Sequence, residues 1–204
     1  MRAYAGYFIS LLIFIALTTA SYGGNDRPDQ SNIEKWEYEI MSNLIDAYYG
    51  NDFELLLIDD QTEPWCIRGR VDGLRSEWVE LKAETIDSLI VRNGCSVPLS
   101  NKLSVESNYR LMSRSSYHEV LKAGNGPDWD NFDALYPESP GFLIISRVGF
   151  DSKYQQALVY FGSAYRCREN RMIPKDRSIA FFVRKDGEWV MRGIEKGFRS
   201  FYYE

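Results

Sequence analysis

The sequence predicts an α+β domain in which N-terminal helices pack on a C-terminal antiparallel meander sheet. Three observations carry that expectation. Apolar residues between Ile33 and Tyr48 recur at helical spacing. From Gly141 onward the chain changes to β-branched and aromatic runs separated by turns. The last two of these runs meet at Asp186-Gly187, a strong hairpin signal. Helices first and an antiparallel meander last make an α+β unit.

The chain begins with "MRAYAGYFISLLIFIALTTASYGG": Arg2, an apolar run from Tyr7 to Leu17, then small residues around Ala20. That order is the mark of a secretory signal peptide, and the run has about half the ~20 residues a spanning helix needs. Cleavage is expected after Ala20, so residues 1–20 form the signal peptide, 21–30 a linker and 31–204 one domain. The protein is expected to be secreted or periplasmic, meeting a membrane only through an uncleaved signal anchor. The formal net charge is -5, and loss of Arg2 makes it about -6. An acidic chain without a basic patch is a poor partner for nucleic acid. Cys66, Cys95 and Cys167 are the three cysteines; in an oxidising compartment they allow one disulfide, whose pairing the spacing does not select.

Each element follows in order. Ser31 and Glu34 have the spacing of a capping box, Ile33, Trp36, Ile40, Met41, Leu44 and Ile45 form the apolar stripe, and Gly50 closes the helix. "DFELLLIDD" reads as a buried strand, and "EPWCIRGRVDGLR", broken by Pro64, Gly69 and Gly73, as turn with a short extended piece. "SEWVELKAETIDSLIVRNG" reads as a helix divided near Ala83, and "CSVPLSNKLSVESNYRLMS" as short strands or an irregular edge. "SYHEVLKAG" repeats the capping-box spacing at Ser116 and Glu119, and "PDWDNFDALYP" sets Trp129, Phe132 and Tyr136 on one helix face.

In the C-terminal part a two-residue turn at Asp186-Gly187 pairs Lys185 with Glu188, Arg184 with Trp189, Val183 with Val190 and Phe182 with Met191. With "DSKY" as the preceding loop, Ile144, Ser146 and Val148 share a face with Ala157, Val159 and Phe161. Arg147 then lies on the other face, beside Ile145, Leu158 and Tyr160, so Ser146 and Arg147 cannot form one site. Phe182 and Met191 fall on one side of the sheet, and Ile179, Phe181 and Ile194 on the other. Both faces are apolar, so something must cover each of them.

The candidate ligand-binding residues are Arg147, Tyr160, Trp189 and Arg184, a cationic and aromatic group on or beside the sheet. "IISRVG" lacks the glycine of a nucleophile elbow, so Ser146 reads as a packed sheet residue. His118, the only histidine, is expected in the first turn of its helix, where the dipole disfavours the imidazolium. Asp128, Asp130 and Asp133 do not fall in the register of a calcium loop, and no metal or cofactor is expected. Asp59, Asp60 and Glu63 are the material for a carboxylate pair.

The succession Trp129 and Phe132, "YPESPG", "SRVGF", "QALVY" and "DGEW" resembles that of a group of uncharacterised exported bacterial proteins. The resemblance covers the last third of the chain well and the segment around "ETIDSLIVRN" more loosely. It implies export and one α+β unit, and it brings no activity or site with it. The chain departs from the group at "RCRENRMIPKDR", where a glycine-rich connection is expected after "ALVY". The expected function is binding of a small molecule or a protein partner, in a layout like that of nuclear-transport-factor-like and cystatin-like domains. The alternative is a hydrolase using His118 or a carboxylate pair.

Overall fold

A computed structural model describes residues 28–49, 53–64, 71–123, 126–139, 141–166 and 172–197. Residues 1–20, expected to form a signal peptide, most of the expected linker, Cys66 and Cys167 lie outside the described residues. In chain order the elements are α1 (Gln30–Tyr49), β1 (Leu55–Asp59), α2 (Val71–Glu77), α3 (Ala83–Arg92), β2 (Asn108–Met112), α4 (Arg114–Val120), β3 (Lys122–Ala123) and β4 (Gly126–Pro127). They continue with α5 (Trp129–Leu135), β5 (Phe142–Ile145), β6 (Gly149–Phe150), β7 (Gln156–Arg166), β8 (Met172–Lys185) and β9 (Glu188–Lys196).

The sheet is mixed, which corrects the expectation of a purely antiparallel meander. Its strand order is β2-β1-β5-β7-β8-β9, with β6 also pairing β7. The antiparallel part runs β5, β7, β8, β9 as expected, but β1 lies parallel to both β2 and β5. Parallel neighbours need a long crossover. Helices α2 and α3 lie in the connection from β1 to β2, and α4 and α5 in that from β2 to β5.

Both apolar faces are covered by the chain itself. One face carries Leu56, Ile58, Leu143, Ile145, Ala157, Val159, Phe161, Ala180 and Phe182, packed under Ile40, Met41, Leu44 and Ile45 of α1 and under Leu99 and Leu103. On the other, Leu74, Trp78, Ile86 and Leu89 cover Leu158, Tyr160, Ile179 and Phe181. Beside them Tyr117, Trp129 and Phe132 cover Leu57 and Phe142.

Several local expectations change. Residues 71–75, read as turn, are helical and continue into Ser76 and Glu77, with Leu74 as the buried anchor of that turn of chain. The break between α2 and α3 falls where the sequence puts it. Asp29 stands just before helix α1; its carbonyl accepts from the Asn32 and Ile33 amides while Ser31 Oγ donates to its carboxylate. Glu34 pairs with Lys102 instead of closing a box. Helix α4 is capped by Ser113, whose Oγ accepts from the Ser116 amide, so it begins three residues earlier than Ser116 suggests.

Two bulges move side chains between faces, since an extra residue shifts a strand by half its two-residue period. Ile145 pairs with Phe161 while Gly149 pairs with Leu158, so one residue more is used on the 145–149 side. Ile145, not Ile144, therefore joins Val159 and Phe161, and Ile144 turns to the other face. A second bulge between Phe181 and Phe182 brings Ile194 to the Phe182 side, against the expectation. The hairpin before it has the expected register in all four pairs. Asp186 (φ 53) and Gly187 (φ 93) both adopt the left-handed conformations that a type I′ turn requires.

Candidate functional site

The helix α1 has two working faces. Its apolar stripe is buried in the core, and a neighbouring stripe of Tyr38, Ser42 and Asp46, spaced by four residues, offers side-chain acceptors. An extended segment at residues 97–106 uses them: the Ser100 amide donates to Tyr38 Oη (2.7 Å), the Ser104 amide to Ser42 Oγ (2.9 Å) and the Glu106 amide to Asp46 Oδ1 (2.9 Å). Lys102 Nζ reaches Glu34 at 2.6 Å, and this bond holds the Lys102 ammonium above its usual pKa. A strap without a strand of its own thus has three of its amides satisfied by one helix face, while the Val97 and Leu99 amides donate to Thr62 Oγ1 and the Asp60 carbonyl.

Two concavities lie where strap and helix meet. The larger, about 540 Å³, is lined by Glu34, Lys35, Tyr38, Asn43, Lys102 and Ser104, among others. The smaller, about 260 Å³, is lined by Glu37, Tyr38, Met41, Val97, Leu99 and Arg147, among others. Glu34 and Tyr38 belong to both.

At the inner edge of the smaller one sits a charge node. Glu37 Oε2 accepts from Arg92 Nη2 (2.7 Å) and from Arg147 Nη2 (3.1 Å). Glu37 Oε1 accepts from Arg147 Nε (3.3 Å) and the Val148 amide (2.9 Å). Glu37 is 6 % exposed. Burial, reinforced by the charge of Arg147, pulls the Arg92 guanidinium below its ordinary pKa despite the Glu37 carboxylate. Asn93 fixes the backbone of the bulge: its Oδ1 accepts from the Arg147 amide (2.8 Å) and its Nδ2 donates to the Arg147 carbonyl (2.9 Å). Arg147 therefore turns toward α1, and not to the Tyr160 face as the unbulged register implies. Ser146 is buried, donating to the Arg147 carbonyl and accepting from the Tyr160 amide.

The other predicted residues lie apart from this node. Tyr160 is buried on the opposite face of the sheet. Trp189 packs edge-on to Trp36 and against Phe150. The Arg184 guanidinium lies 5.9 Å from the Trp189 ring, as the cross-strand pairing implies, and closer still, 4.2 Å, to Trp36. The structure thus joins Arg184 with Trp189 in an aromatic rim and separates both from Tyr160.

A second charge node stands where β1 and β2 end. Arg114 bonds the buried Asp59 through Nε and Nη2, and the same Nη2 donates to the buried Glu63 at 2.6 Å. Burial raises the Asp59 pKa, although Arg114 works against it. Arg114 itself is lowered by burial, but Glu63 and Asp59 outweigh that and hold it above its usual value. His118 lies in the last turn of α4, not the first, and is exposed beside Tyr117. Asp128 caps α5 by accepting from the Asn131 amide. Cys95 is a free, exposed thiol, so it does not take part in the expected disulfide.

The sequence reading missed Glu37, Arg92, Tyr38 and Arg114. Glu37 carried a signal: it sits four residues after Ile33 and four before Met41, an acid on the apolar stripe of a helix. A buried carboxylate of this kind requires partners. No protein-family model matches the chain, and comparison with curated proteins and with solved structures finds no match.

Proposed function

We propose that this chain is an exported binding module, akin to the exported bacterial group it resembles, that takes a small molecule between α1 and the 97–106 strap. The observation that carries this reading is the pair of adjoining concavities on either side of Tyr38. Elsewhere the two sheet faces are filled by the protein's own side chains. The larger concavity, at about 540 Å³, lies within the range usual for small-molecule sites. Its rim offers hydroxyl, amide and charged groups that fix a ligand's orientation.

The hydrolase reading has less support. His118 is exposed with only an aromatic neighbour among the described contacts, and Asp59 and Glu63 each have an oxygen already bonded to the guanidinium of Arg114. A protein partner remains the alternative occupant for the aromatic rim, where Trp36 and Arg184 are only partly buried.

A fragment screen followed by two-dimensional amide NMR tests the proposal. Ser100 and Ser104 are exposed strap positions, so Ser100→Trp and Ser104→Trp should fill the two concavities without disturbing the core. Fragments that shift strap amides in the parent and lose this effect in the filled variants support the reading. Fragments that bind both forms equally remove the cleft as the site.

A further inference from the structure

We infer that the smaller concavity selects a small organic anion with an apolar body, and that Arg147 is the residue that holds its charged end. This rests on the reading of the α1–strap cleft as a ligand site. The first ground is a count of charges: one carboxylate, Glu37, serves two guanidinium groups, Arg92 and Arg147. Glu34, the other acid lining the concavity, is bonded to Lys102. The node keeps one positive charge more than it neutralises, in a place where water access is limited, and such a charge is stabilised by a counter-anion.

The second ground is geometry. Arg147 spends Nε and Nη2 on Glu37, and among the described residues Nη1 has no protein acceptor. Its side chain is 24 % exposed and lines the concavity, whereas Arg92 does not line it. A guanidinium with a free edge is a donor fork suited to a carboxylate or phosphate. The third ground is the wall. Met41, Val97, Pro98 and Leu99 line the same concavity as Arg147, which favours a ligand with a hydrocarbon body over a fully hydrated inorganic ion. A volume of about 260 Å³, at about 30 Å³ per water-sized group, admits roughly nine non-hydrogen atoms.

The test is an amide NMR titration of the mature chain with four probes: butyrate, butyramide, butylamine and inorganic phosphate. Butyrate is expected to shift the Val97, Leu99, Ser100 and Val148 amides, with butyramide and butylamine silent and phosphate weaker. Arg147→Met should weaken butyrate by about tenfold or more, the value of a charge-assisted hydrogen bond. Glu37→Gln, which leaves both guanidinium groups without their acid, should tighten it. That opposite sign is a result a merely structural node would not give, and it keeps the test decisive if Arg147→Met fails to fold. Butyramide binding as well as butyrate would overturn charge selection, and phosphate binding as well as butyrate would overturn the apolar body. Silence with all four probes overturns the anion class. If screened fragments still shift the strap amides the cleft itself stands, and if they do not it falls as well.

Discussion

Gly149 lies directly against the backbone of Leu89: a Cβ on Gly149 would stand 2.3 Å from the Leu89 nitrogen and 2.5 Å from its Cα. Helix α3 thus approaches β6 as closely as a side-chain-free residue allows. Gly149→Ala is expected to destabilise the domain by about 3 kcal/mol, at the upper end of overpacking costs, because backbone cannot move aside as a flexible side chain does. Urea unfolding of parent and variant reads this directly, and a loss below about 1 kcal/mol would mean that α3 can shift.

Glu37 holds two arginines and one amide through four hydrogen bonds, so its removal strands four N–H donors. Glu37→Ala should cost about 3 to 5 kcal/mol, the usual penalty for breaking one side of a buried pair. Glu37→Gln, which keeps an acceptor oxygen, should cost less. Equal losses for the two would show that charge alone matters at this position.

Asp59 should make stability fall with rising pH over a defined window. Burial raises its folded pKa above the ordinary 3.8, so the folded state holds the proton more tightly than the unfolded one. The stabilisation is complete below the ordinary value and is lost as pH climbs through the raised one. The stability of the parent minus that of Asp59→Asn, followed by denaturant unfolding from about pH 3 upward, should therefore decline. A difference that rose with pH would mean that Arg114 outweighs burial.

The turn at Asp186-Gly187 predicts a smaller effect. Gly187 has φ 93 and open space around its Cα, so Gly187→Ala suffers only backbone strain, about 1 kcal/mol. Thermal unfolding measures it, and a loss several times larger would place an unseen contact at the turn.

Export is tested by amino-terminal sequencing of the chain secreted by a bacterial host. Cleavage after Ala20 predicts Ser21 as the first residue. Recovery of an intact Met1 terminus in the membrane fraction would point to a retained anchor.

What the residues disclosed follows the range of the interactions involved. The β8–β9 register was legible because Asp186-Gly187 fixes it locally, and α1 because its stripe repeats within one helix. The bulges at 145–149 and 181–182 were not, since an extra residue leaves no mark in an apolar run. Ser113, Ser115 and Ser116 are interchangeable as caps by composition, and only the path of β2 into α4 selects Ser113. The parallel pairing of β1 with β2 depends on partners some fifty residues apart. Arg147 stood out as a cation on an apolar strand, but the acid that it bonds lies 110 positions away and no local pattern names it.

The mixed sheet also divides unevenly the entropic cost of closing it. Strands β7, β8 and β9 are consecutive and joined by short connections, so their pairing closes small loops at low entropic cost. The β1–β2 ladder closes a loop of roughly fifty residues before any parallel hydrogen bond forms. The largest closure cost in the sheet therefore falls on the parallel edge and the smallest on the C-terminal meander. Because synthesis runs from the N-terminus, α1 and β1 emerge before the meander that must receive them, and their apolar faces wait for their partners.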